Sequence, residues 1–128
     1  MKRSLLLLSV AVMFFLAGCT KTEVVIPNIT VNTTVNPADW RYDNATKTYY
    51  ANINVPEITS GVNATDGIIV SVSFGNDLYE IIPDIYNGYS FYVSHQPGTL
   101  TIEAENQFGT TLPPATAMLV KIVIVPSN

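Results

Sequence analysis

The chain is expected to be all-β, an antiparallel sandwich of seven to eight short strands. Three observations carry this expectation. Apolar and polar residues alternate in almost every run after residue 28, as in strands with one face buried and one face wet. The breaks between those runs are turn-forming residues. No segment after residue 18 spaces its apolar residues by three and four over two turns, so no helix is expected there.

The first run is Ile29, Val31, Thr33 and Val35, alternating with Thr30, Asn32 and Thr34. Trp40 and Tyr42 then alternate with Asp39, Arg41 and Asp43, and Asp43-Asn44 turns the chain. Tyr49, Ala51, Ile53 and Val55 oppose Tyr50, Asn52 and Asn54, and the run ends at Pro56, where a missing N–H is tolerated. A longer loop from Glu57 closes at Asp66-Gly67. Ile68, Val70, Val72 and Phe74 oppose Ile69, Ser71 and Ser73 before the turn Gly75-Asn76-Asp77. Asn87-Gly88 is the strongest turn signal, because both central positions of a type I′ turn need positive φ. Tyr89, Phe91 and Val93 oppose Ser90, Tyr92 and Ser94, and Gln96-Pro97-Gly98 turns into Leu100, Ile102 and Ala104, which oppose Thr101, Glu103 and Glu105. Residues 108 to 116, with Pro113-Pro114, form the longest irregular stretch, a candidate crossing between sheets. The last run, residues 118 to 125, is apolar on both faces except at Lys121, which marks a central strand. The architecture is immunoglobulin-like in outline only, because the Cys…Trp…Cys signature is absent.

The amino terminus tells a different story. Met1-Lys2-Arg3 is cationic, residues 4 to 16 are uncharged and largely apolar, and small residues follow. That is the layout of a secretory leader. The run is shorter than the ~20 apolar residues that span a bilayer. Leu16-Ala17-Gly18-Cys19 resembles the lipobox of bacterial lipoproteins. The resemblance implies cleavage before Cys19 and acyl chains on that cysteine, making the membrane a partner. One acyl chain binds only marginally, whereas two or three on one residue hold a domain permanently. The expected organisation is a leader over 1–18, a lipidated terminus and tether over 19–27, and a β-sandwich over 28–128. Thr20 to Pro27, fully extended, reaches roughly 28 Å, which keeps the domain close to its membrane.

Removing residues 1–18 leaves 110 residues, enough for one core and too few for two domains. Cys19 is the only cysteine, so the domain stands on packing without disulfides. Without Lys2 and Arg3, four basic residues face ten acidic ones, a net charge of −6. No basic cluster exists in the sequence, which argues against nucleic acid and anionic headgroups as partners.

Catalytic chemistry finds little support. His95 is the only histidine, expected at an exposed turn, and Ser94 beside it points to the opposite face of a strand. No ligand set converges on His95 at metal spacing. Asp39, Asp43, Glu103 and Glu105 alternate with core residues, so a solvated strand face fits them better than an acid/base pair. No D-x-D-x-D-G calcium loop is present, which leaves only a clustering of Asp39, Asp43 and Asn44 by folding. The Asn-x-Thr matches at Asn28, Asn32, Asn44 and Asn63 are treated as chance in an Asn/Thr-rich chain. The chain is therefore expected to be no enzyme and to need no cofactor or metal.

Aromatics are the better lead. Trp40, Tyr42, Tyr49, Tyr89 and Phe91 share faces with Val and Ile, as core residues do. Tyr50 and Tyr92 instead sit on the polar set of their strands, where rigid amphipathic rings suit glycan stacking or a protein hot spot. Tyr50, Tyr92 and Trp40 are the candidate ligand contacts.

Asp39-Trp40, Tyr49-Tyr50 and Val55-Pro56-Glu57-Ile58-Thr59 followed by Gly67 form a further pattern. It resembles small uncharacterised lipoproteins of gut Bacteroidetes, in which W…Y…VPEIT…G opens a β domain after a lipobox. The resemblance implies lineage and carries no reaction. Such lipoproteins often reach the cell surface on a lysine-plus-acidic signal after the lipidated cysteine, which Lys21 and Glu23 match in part. The expected function is a membrane-anchored, non-enzymatic binding or adhesion module on the outer membrane, surface-facing, with a protein or glycan ligand. The alternative is a structural or accessory subunit of a periplasmic envelope complex.

Overall fold

Two antiparallel sheets pack face to face around one core, as seen in a computed structural model that describes residues 18–20 and 22–127. Residues 1–17, most of the expected leader, lie outside the described residues. The strands are β1 (Ile29–Val35), β2 (Arg41–Asp43), β3 (Thr48–Val55), β4 (Gly67–Ser73), β5 (Glu80–Ile81), β6 (Asp84–Tyr86), β7 (Tyr89–Gln96), β8 (Gly98–Asn106) and β9 (Met118–Val125). The first sheet runs β1-β9-β4-β5 and the second β2-β3-β8-β7-β6.

The described residues thus hold nine strands rather than seven to eight. The unforeseen ones are β5 and β6, two and three residues long on either side of Pro83. Segments that short have no room to show alternation, and pairing to β4 and β7 is what holds them extended. A helix was not expected either, yet α1 (Ser60–Thr65) forms one short turn inside the loop after β3. Its cap explains it, since the Thr59 hydroxyl accepts from Val62 N–H at 3.2 Å. Val62 is the only apolar residue longer than Ala in it, so no periodicity announces it.

Register follows from which face must be buried. In the first sheet Val70 pairs with Ile122 and Val72 with Val120, all four excluded from water. In the second, Ala51 pairs with Ile102 and Ile53 with Leu100, again all inward. Phe91 on β7 closes the layer, packed against the Trp40 ring at 6.3 Å and the Phe74 ring at 5.5 Å. The doubly apolar β9 lies between β1 and β4, as its composition demands.

The turns match their chemistry. Asn87 (φ 46°) and Gly88 (φ 80°) join β6 to β7, both in the left-handed region. A side chain at Gly88 would run into the Phe108 ring. Residues 107–117 cross from β8 in one sheet to β9 in the other. Two phenols pin this crossing: Tyr49 Oη donates to Thr111 O at 2.6 Å, and Tyr89 Oη to Leu112 O at 2.7 Å. Burial, then the neighbouring Tyr42 and Tyr89, push the Tyr49 phenol above its ordinary pKa.

The carboxy terminus is held by Asp66, whose Oδ1 accepts from Ser127 N–H and Ser127 Oγ, both at 3.2 Å. The Ser127 N–H, followed by the Thr65 hydroxyl, lowers the Asp66 pKa. A carboxylate with a lowered folded-state pKa adds stability above its unfolded pKa of about 3.9 and loses it as pH falls through the lower folded value. Asp66→Asn should therefore flatten part of the acid limb of a melting-temperature-against-pH curve while leaving its alkaline limb unchanged. Ile102→Ala, by contrast, should cost about 2–5 kcal/mol at every pH, read by denaturant unfolding.

Candidate binding face

The pleat that sends Ala51, Ile102 and Phe91 inward sends their strand neighbours out. On the outer surface of the five-stranded sheet, β2, β3, β8 and β7 therefore contribute one residue each to a single cross-strand row. Arg41 pairs with Tyr50, Tyr50 with Glu103, and Glu103 with Tyr92. Two tyrosines that lie 42 positions apart in the sequence thus flank one carboxylate. Adjacent strands are about 4.8 Å apart, so the two tyrosine backbones stand about 10 Å apart.

The rows on either side are polar. Asn52, Thr101 and Ser94 lie across from one another, and Thr101 Oγ1 donates to Asn52 Oδ1 at 2.8 Å. Glu105 comes next along β8, and its Oε2 accepts from Tyr92 Oη at 3.4 Å. Tyr92 is 43 % exposed and Tyr50 half-buried. Tyr50 and Glu103 line a shallow cleft of about 220 Å³ with Asp43, Thr46, Thr48 and Thr101. Arg41 is the only cation in the row, and its Nη1 donates to Ala38 O at 3.2 Å. With Asp43, Glu103 and Glu105 on the same surface, the face is acidic.

The expected contacts divide. Tyr50 and Tyr92 come together on one face. Trp40 does not join them: it is 6 % exposed and belongs to the core, so it offers no ring to a ligand. The reason is its parity, which places it on the inward side with Tyr42 and next to Phe91. His95 is exposed as expected but lies in β7 rather than a turn, with Nδ1 hydrogen-bonded to Asn63 Oδ1 of α1 at 2.8 Å. Asp39 accepts from Asn36 N–H at 2.7 Å and Asp43 from Ala45 N–H at 2.8 Å, so each serves its own turn. Among the described residues no three His, Cys, Asp or Glu side chains gather as a metal cluster.

The sequence places Glu103 on a solvated strand face and gives Arg41 no role. Their place beside the tyrosines is a matter of register between strands, which no single run of alternation contains. A second feature was equally hidden. β2 covers only Thr48 to Tyr50 of β3, leaving residues 51–55 of β3 open along their edge beside the other sheet's edge strand β1. The notch between them has a volume of about 600 Å³ and is lined by Thr33, Val35, Arg41, Ile53 and Asn54, among others.

No family model, curated protein or solved structure matches the chain.

Burial separates the tyrosines energetically. Tyr50→Ala and Tyr92→Ala should each change stability by less than about 1 kcal/mol. Tyr49→Ala, which empties a core position and frees the crossing, should cost about 3 kcal/mol or more in the same unfolding assay.

Proposed function

We propose that the protein is a lipid-anchored, non-enzymatic binding module whose ligand surface is the outer face of the five-stranded sheet. The observation that carries this is the Tyr50–Glu103–Tyr92 row. Aromatic rings two strands apart with a hydrogen-bonding carboxylate between them suit the alternating apolar faces and hydroxyl edges of a glycan chain. The acidity of the face favours a neutral glycan over a sulfated or uronic one, because like charges would meet across a desolvated contact. Cys19, with Leu16-Ala17-Gly18 before it, supports the anchor, and the likeness to Bacteroidetes lipoproteins supports an outer-membrane address. Cys19 is exposed, as acylation requires. Among the described residues no helix is long and apolar enough to cross a membrane.

A specific observation favours the alternative, an accessory subunit of an envelope complex. The open edge of β3 offers unpaired main chain to an extended partner segment, which is how strand addition works.

Two experiments separate these readings. Protease shaving of intact cells should remove the domain; protection until the outer membrane is permeabilised would contradict surface display and favour the accessory role. On a panel of neutral glycans, the Tyr50→Ala/Tyr92→Ala variant should lose at least about tenfold in affinity, equivalent to about 1.4 kcal/mol, while melting close to the parent. Unchanged glycan affinity in a folded double variant would remove the row from the binding site.

A further inference from the structure

The opposite face of the sandwich is built differently. Its outward positions on β9, β4 and β5 include Ile69, Ile81, Leu119, Val123 and Val125. Ile69 and Leu119 are each 45 % exposed and Ile81 is 66 % exposed, in a position where β-sheets usually turn polar residues to water. Ile69, Val123 and Val125 adjoin at one end of the face, Leu119 lies beyond the Asn32–Lys121–Ser71 row, and Ile81 ends that row on β5. The other outward positions include uncharged Thr30, Thr34 and Ser73. Single exposed apolar residues need no explanation, but several on one face mark a contact surface.

Charge says what kind of contact. Ten acidic residues lie in this chain, and none occupies an outward position of β1, β9, β4 or β5. The one charged side chain there is Lys121, whose Nζ lies 3.9 Å above the Tyr79 ring. A lysine with a long apolar stem beside a half-exposed tyrosine is the pairing found where protein meets the headgroup layer. Of the carboxylates that headgroup phosphates would repel, one lies in this sheet, Glu80 at its β5 edge, paired with the inward Val72; the rest are carried by the other sheet, the loops and the tether.

The path of the chain makes the same assignment. Residues 20–28 lead from Cys19 into β1, the edge strand of this sheet, and at most about 35 Å of chain separates the two. Ile29 pairs with Ile124, which pairs with Ile68, so the tether joins the sheet beside Ile69, Val123 and Val125. The tether brings its own exposed apolar residues to that corner: Val24, Val25 and Ile26.

From these observations we infer that the outer face of the β1-β9-β4-β5 sheet rests on the lipid surface to which Cys19 is anchored. Leu119, Ile69 and Ile81 dip into the headgroup boundary, and Lys121 extends toward the phosphates. The sheet packing then turns Tyr50, Glu103 and Tyr92 away from the membrane. The inference rests on acylation of Cys19, which supplies the permanent attachment that a few half-exposed side chains do not.

The test uses the full, lipidated chain reconstituted into phosphatidylcholine vesicles. Lipid occupies Cys19, so one introduced cysteine accepts one fluorophore, at Leu119→Cys, Ile81→Cys or Tyr92→Cys. Brominated phosphatidylcholine quenches only probes that reach the outer roughly 5–10 Å of the acyl boundary. Probes at 119 and 81 should be quenched several-fold more than the probe at 92. Two independent positions on the face guard against a variant that fails to fold. Flotation with the vesicles but equal, weak quenching at all three sites would overturn the lipid-facing orientation while leaving the anchor standing. Disulfide linkage between copies of the unlabelled Leu119→Cys variant on the same vesicles, under an added thiol oxidant, together with absence of quenching in the labelled sample, would overturn it in favour of a second copy covering the face. Failure to float would remove the anchor, and the orientation with it.

Discussion

One constraint governs this molecule: two sheets without a disulfide between them must hide their inward side chains in each other. Cys19 is the only cysteine and lies outside the sandwich, so beyond the chain's own connections no covalent bond ties β4 and β9 to β3 and β8. Val55, Leu100, Ile102, Ala104, Ile122 and Ile124 accordingly show no exposed surface. Each large aliphatic side chain so buried contributes about 1.5–3 kcal/mol against the entropy of ordering the chain. The remaining structure serves this contact. β9, central between β1 and β4, buries Met118, Val120, Ile122 and Ile124 in it, and the crossing from β8 to β9 is tied down by two phenols.

The same constraint frees the outward residues. Once the inward parity of each strand is set by the core, its alternate positions carry no packing duty and can differ between the sheets. They do differ here. The five-stranded sheet turns out carboxylates, hydroxyls and the two tyrosines, whereas the four-stranded sheet turns out Ile69, Leu119 and Val123 among uncharged Thr, Asn and Ser residues, without a carboxylate. A domain with chemically opposite faces has a built-in direction. With the proposed lipid on Cys19, a tether entering at a corner of the less acidic face would assign that direction to the membrane.

Alternation alone made most of this fold legible. Every run of four or more alternating residues became a strand, and the centrality of β9 followed from its two apolar sides. The short elements were not legible, because β5, β6 and α1 are held by partners and a cap rather than by a pattern of their own. The candidate site was half legible. Parity set Tyr50 and Tyr92 on wet faces, but only strand pairing shows that Glu103 lies between them. Trp40 illustrates the opposite case: it is a candidate contact in the sequence, but its parity with Tyr42 assigns it to the core, where it lies.

The most direct measurement of the two-faced account is amide hydrogen exchange on the lipidated protein in phosphatidylcholine vesicles, with and without a bound neutral glycan. The account predicts that glycan slows exchange along β3, β7 and β8 around Tyr50, Tyr92 and Glu103, and leaves β4 and β9 unaffected. Slowing confined to β1 and the open edge of β3 would contradict it, placing the ligand in the notch and the function in strand addition.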